Sequence, residues 1–172
     1  MDWSKAKTIL IAILLVLCLI LSGILFSRKL DEAKAIEAGR VAAKEYLEGI
    51  GVVLNTEIPK NRPALEVLFL QRKEGATQLK NGHYLVYTNE ASNVSYEITE
   101  HGKGKAKVIS ASSALLQMAT MTENPKGLEI NDIELCYYVD DKGFKPQETN
   151  TDTAIPAWRI ESSNGVYYIL AY

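Results

Sequence analysis

Charged residues vanish between Lys7 and Arg28, and the 20 positions between them are mostly Leu, Ile, Val and Ala. A helix of that length rises about 30 Å, the thickness of a bilayer's hydrocarbon core, which predicts a transmembrane helix over residues 8–27 behind a short tail, 1–7. A cleaved signal peptide would carry a shorter apolar run and end at a small-x-small site. Here the run closes on Ile24-Leu25-Phe26-Ser27-Arg28, and Cys18 lies too deep in it to suit a lipoprotein. Lys5 and Lys7 precede the run, while Arg28, Lys29, Lys34, Arg40 and Lys44 follow it. By count the positive-inside rule places the C-terminal body inside, but acidic residues are interleaved and folded domains cross regardless of charge, so the side stays open.

Beyond the run, residues 28–51 read as a stalk and first helix. Ile36, Gly39, Ala43, Tyr46 and Ile50 recur at three- and four-residue steps, and Gly49 and Gly51 are stop signals. Strands then dominate: Val52–Thr56, Leu65–Gln71, His83–Thr88 after the turn signal Asn81-Gly82, and Lys105–Ser110. The clearest alternation sets Val94, Tyr96 and Ile98 against Asn93, Ser95, Glu97 and Thr99. A second helix runs from Ser112 or Ser113 to Met121 and stops at Asn124-Pro125. Ile133, Leu135, Tyr137 and Val139 share a strand face, Asp140-Asp141-Lys142-Gly143 forms a turn, and Gln147–Thr153 reads as a loop. Ala154–Glu161 and Val166–Tyr172 form a hairpin across Ser162-Ser163-Asn164-Gly165. The predicted class is α+β: a transmembrane helix, then two small helix-plus-antiparallel-sheet units over residues 28–110 and 111–172, the first with its strands in 52–110, docked or sharing a sheet.

Over the whole chain 47% of residues are hydrophobic and 23% charged. The part after residue 27 carries 17 basic and 20 acidic side chains, a net charge of −3. A weakly acidic body argues against nucleic acid, which selects clustered positive charge. Cys18 and Cys136 lie in different parts of this layout, which argues against an internal bridge.

The opening Met1-Asp2-Trp3-Ser4-Lys5-Ala6-Lys7-Thr8-Ile9, running straight into the apolar segment, resembles the start of YycI-type regulatory proteins. Pro156-Ala157-Trp158-Arg159-Ile160 followed by Val166-Tyr167-Tyr168-Ile169 is similar to that family's C-terminal strands. Together these cover about a tenth of the chain; residues 55–130 carry no recognised match. The resemblance implies a single-pass protein of the Gram-positive cell membrane, N-terminus cytoplasmic and body extracytoplasmic. It also implies partners: a sister protein of the YycH type, and the sensor histidine kinase of a cell-wall two-component system, which is restrained through contacts between transmembrane helices.

The sequence offers no catalytic constellation. His83, His101 and Cys136 are scattered and lack the local spacing of a zinc site, and no cofactor motif occurs. Ser112-Ser113 lacks a nucleophile elbow and suits a helix cap. Gly102-Lys103-Gly104-Lys105 lacks the phosphate-loop spacing and reads as a basic hairpin tip. Asp140-Asp141 and the Asp132/Glu134 pair lack a calcium loop's ligand pattern. Function is expected instead in partner contacts. In Tyr137-Tyr138 and Tyr167-Tyr168 adjacent rings point to opposite sheet faces, so one ring of each pair either meets a partner or is capped by other parts of the chain. Tyr138, Tyr167 and Arg159, with Trp158 beside them, are the candidate docking residues of the body. Ala12, Ser22 and Gly23 are the small residues in the apolar run that would let another helix approach within the lipid bilayer. The leading expectation is a non-enzymatic regulator of a sensor kinase. A tethered module binding cell-wall polymer or peptide is the alternative.

Overall fold

The computed structural model describes residues 3–74, 80–81, 84–88, 94–139 and 151–172. Helix α1 (Trp3–Gly49) is continuous from the apolar run into the first amphipathic stretch. The chain divides within it into two compact units, Met1–Gly39 and Arg40–Tyr172.

In the first unit the described side chains begin at Leu14. Leu14, Leu15, Val16, Leu17, Leu19, Ile20, Leu21, Ile24, Leu25 and Phe26 are all between 45% and 73% exposed, so no face of this stretch is covered. Among the described residues no helix is long and apolar enough to cross a membrane. This corrects the expected transmembrane helix.

The second unit begins with the end of α1. There Gly51, at φ +87°, donates its N–H to Glu48 O at 3.0 Å, and Val52 donates to Leu47 O at 2.9 Å. That bond pair is a Schellman motif, and its companion residues Leu47 and Val52 are both buried. Arg40 Nε donates to Ile58 O at 2.7 Å, holding the following loop against the helix.

Ten strands follow among the described residues: β1 (Val53–Leu54), β2 (Ala64–Leu65), β3 (Leu68–Glu74), β4 (Lys80–Asn81), β5 (Tyr84–Thr88), β6 (Val94–His101), β7 (Ala106–Lys107), β8 (Glu129–Val139), β9 (Thr151–Ser162) and β10 (Gly165–Leu170). Helix α2 (Ala111–Met121) lies between β7 and β8. Eight of the strands form one sheet in the order β4-β5-β8-β9-β3-β6, with β1 added to β8 and β10 to β9, while β2 pairs only with β7. Strand β5 from the first half runs parallel to β8, and β3 runs antiparallel to β9. The expected division into two antiparallel units is therefore corrected as well: the halves interleave in one mixed sheet.

Sequence spacing locates α2 well, but its cap lies earlier than expected. Ser110, not Ser112 or Ser113, is the N-cap and accepts from Ser113 N at 3.1 Å. Gly165, at φ +132°, completes the β9–β10 turn. Strand β9 starts at Thr151, inside the stretch expected to be a loop. The expected turn at 140–143 lies outside the described residues, as does His83.

Period-two alternation along β8, β9 and β10 separates two faces. On one, Ile133, Trp158, Ile160 and Ile169 pack with Ala111, Ala114, Leu115 and Met118 of α2 and with Ala43 and Leu47 of α1. Trp158 is 1% exposed, and its indole Nε1 donates to Ile109 O at 3.0 Å. A second cluster, Leu68, Leu70, Val86, Tyr137, Val139 and Ala154, ties β3 and β5 to the centre of the sheet. Truncating Leu115, which is fully buried, to Ala is expected to lower the unfolding free energy by about 2–5 kcal/mol. Leu116→Ala, at a half-buried position, is expected to cost clearly less; urea titration followed by Trp158 fluorescence in a Trp3→Phe background checks both.

Candidate functional site

The reverse face of the sheet carries chemistry that the helix-covered face does not. Cys136 and Ala157 stand opposite each other in the β8–β9 ladder, and both are fully buried. The buried residues of α1 and α2 belong to the other face, so the side chains flanking Cys136 supply the cover here. Tyr138 follows two residues along β8, Tyr168 is paired with Arg159, and Tyr87 of β5 is paired with Tyr138. The Tyr138 and Tyr168 rings stack at 4.3 Å between centroids with planes 17° apart. Tyr87 tilts against Tyr168 at 5.9 Å. Contacts of this kind contribute roughly 0.5–1.5 kcal/mol each beyond the area they bury.

Arg159 sits beside the rings. Its guanidinium carbon lies 5.2 Å from the Tyr87 centroid, a cation–π distance. Nη2 donates to Glu161 at 2.9 Å and Nη1 to Glu134 at 3.3 Å, with Asp132 at 3.7 Å. These residues meet because i and i+2 share a strand face: Asp132 and Glu134 on β8, Arg159 and Glu161 on β9, in register across the ladder. Tyr87 closes the network by donating its hydroxyl to Glu134 at 2.7 Å. Among the described residues Arg159 Nε is buried with no hydrogen-bond partner, a cost set against the guanidinium's contacts with the carboxylates. One cation among three carboxylates leaves the patch net negative, and Asp132 and Glu161 are about half exposed.

The ionisable groups follow from this environment. Burial, then Glu134, pushes the Cys136 thiol up to about 12, although Arg159 opposes the rise. Burial also raises Tyr87, helped by its bond to Glu134. Tyr168 rises for the same first reason, with Arg159 pulling the other way. Burial works against the charge of Arg159, but Glu161, Tyr87 and Glu134 outweigh it, so its pKa lies above the usual value.

Of the residues singled out in the sequence, Tyr138 and Arg159 come together here. Tyr167 does not: its ring packs on the helix-covered core, as does Trp158. Ser22 and Gly23 are exposed in the first unit, while the side chain of Ala12 lies outside the described residues. Tyr87, Glu134 and Tyr168 were missed as site members. Their signal was the paired spacing Asp132-x-Glu134 and Arg159-x-Glu161, legible only once the register is known. Among the described residues no three His, Cys, Asp or Glu side chains form a cluster suited to a metal. His101 Nδ1 instead pairs with Glu66 at 2.7 Å. Gly102–Lys105 is not a hairpin tip, because β6 pairs with β3 and β7 with β2.

With Cys18→Ser as background, Cys136 is expected to resist iodoacetamide at pH 8, because burial disfavours its thiolate. Tyr168→Ala is expected to speed its alkylation at least tenfold by uncovering it. The folded pKa of Cys136 exceeds that of an ordinary thiol. Its contribution to stability is thus complete below pH 9 and lost as pH rises towards 12. Urea titrations across that range are expected to show falling stability, with a shallower fall in Cys136→Ala; Tyr87, Tyr168 and Tyr172 contribute to the remainder.

No family model and no curated protein matches this chain, so its function must be argued from the residues themselves.

Proposed function

We propose that this chain is a non-enzymatic, membrane-associated regulator that binds a sensor histidine kinase of a cell-wall two-component system and restrains it. The observation that carries the reading is the patch built from Tyr138, Tyr168, Tyr87 and Arg159 with its acidic rim. Rigid aromatic rings beside an arginine are the residue types that dominate binding energy at protein interfaces. They lie on the sheet face to which neither helix contributes its buried residues. The net negative rim favours a partner segment bearing Lys or Arg, since complementary charge selects and orients partners.

Two further features support the reading. The stretch Leu14–Phe26 exposes large apolar side chains along its length, and such a surface favours docking against an apolar partner segment. The resemblance of both chain ends to YycI-type proteins points to the same class of partner, and to a YycH-like sister as a possible co-regulator. Restraint works by differential binding: the chain contacts the low-activity arrangement of the kinase better than the active one. A coupling of about 1–3 kcal/mol shifts output roughly 5–150-fold.

The test reconstitutes the full chain with the purified kinase in membranes and reads autophosphorylation. Wild-type chain is expected to lower the rate at least fivefold, and Tyr138→Ala with Tyr168→Ala to relieve most of that restraint while the chain stays folded by circular dichroism. Undiminished restraint by the folded double variant would remove the patch from the mechanism. No effect of wild-type chain, together with retention of purified cell-wall polymer, would replace the regulator reading with that of a tethered binding module.

A further inference from the structure

Strand β6 ends at His101, and the chain crosses to β7 through Gly102-Lys103-Gly104-Lys105. Gly102 passes so close to the β2–β3 link that its N–H donates to Val67 O at 2.7 Å. A Cβ at Gly102 would lie 2.8 Å from that same oxygen, so no other residue fits without moving backbone. Gly104 has φ +88°, a region that side chains disfavour. The crossing is thereby held to one path. It curves around a depression of about 370 Å³ lined by Val67, Phe69, Ala106 and Tyr172, with Lys103 among its walls.

The lining is unusual for an exposed surface. Phe69 remains 38% exposed and Tyr172 50%, so two rings face an open concavity. The Tyr172 hydroxyl donates to Leu65 O, which fixes its ring in place. Lys103 and Lys105 are both exposed on the loop. Two carboxylates stand near the site: Glu66, next to Val67 and paired with His101 Nδ1, and Glu100, opposite Phe69 in the β3–β6 ladder. Burial first, and Glu66 second, raises the Tyr172 hydroxyl, which therefore stays protonated and adds no negative charge. The volume falls at the lower end of the range for small-molecule sites, with mostly apolar walls and Lys103 as the charged side chain among the lining residues.

We propose that this depression binds a small soluble organic anion, a phosphate or carboxylate carried on an aromatic or short aliphatic body. The body lies against Phe69, Val67, Ala106 and the Tyr172 ring, and the anion meets Lys103, with Lys105 adding to the field from the same loop. A two-chain membrane lipid is excluded by size as the occupant of the apolar part. The site is separate from the tyrosine patch and does not rest on the kinase reading.

The test titrates phenyl phosphate into the full chain mixed with phosphatidylcholine nanodiscs, by calorimetry. Saturable one-to-one binding is expected, weakened at least tenfold by Lys103→Gln and, independently, by Phe69→Ala, with neither inorganic phosphate nor benzyl alcohol binding measurably. Lys103 is exposed, so its variant keeps the fold and the result is interpretable even if Phe69→Ala is destabilised. Absence of saturable binding, a Kd unchanged in Lys103→Gln, or equal binding of inorganic phosphate would overturn the proposal. Loss of phenyl phosphate binding on moving to phosphatidylglycerol nanodiscs would overturn it too, by assigning the loop to lipid headgroups.

Discussion

Strand β9 is paired along its whole length, and on both edges over more than half of it. One edge follows β8 from Ala154 to Ser162; the other meets β3 at its start and β10 over the remainder. That two-sided ladder fixes the register of the sheet, and a single-residue slip would exchange the faces of every side chain. It would send Trp158 and Ile160 out of the helical core and bring Arg159 into it. The core and the tyrosine patch are therefore two results of one constraint. Burial of Trp158, with its indole bonded to Ile109 O, holds Arg159 on the reverse face among its carboxylates.

Local features were legible where local chemistry decides. The apolar positions of α2 and the stop glycines of α1 announced those helices, and Ser162-Ser163-Asn164-Gly165 announced the β9–β10 hairpin. Opposite orientation of neighbouring tyrosines also followed from strand geometry alone. Which ring of each pair faced the helices did not, because that depends on the β8–β9 register across a long separation in sequence. Tyr138 and Arg159 were thus grouped with Tyr167 and Trp158, which the sheet sends to the other side. Tyr87 was invisible for a related reason: it reaches the patch through a parallel pairing of β5 with β8, and sequence periodicity carries no signal for that connection.

The interleaving of the two halves in one mixed sheet has the same origin. Reading the chain from helix to helix groups strands by proximity in sequence, while the sheet groups them by what they bury. Leu68, Leu70 and Val86 from the first half enclose Tyr137, Val139 and Ala154 from the second. Neither half has enough apolar surface in that cluster to stand alone, which is the usual difficulty of small units. The carboxylates Asp132 and Glu134 looked like ordinary strand-surface acids for a similar reason. Their role emerges only when Arg159 arrives opposite them.

The end of α1 has a mechanical meaning. Immediately after the Schellman turn, Val53 N–H is bonded to Leu128 O and Asn55 N–H to Ile130 O, so the chain leaving the helix lies parallel to the first residues of β8. Tension applied along β1 loads those bonds side by side, in shear, rather than peeling them one after another. Strand β8 leads directly to Asp132, Glu134 and Tyr138. A tug or twist delivered to the last turn of the helix thus has a stiff, short route to the strand that carries half of the tyrosine patch.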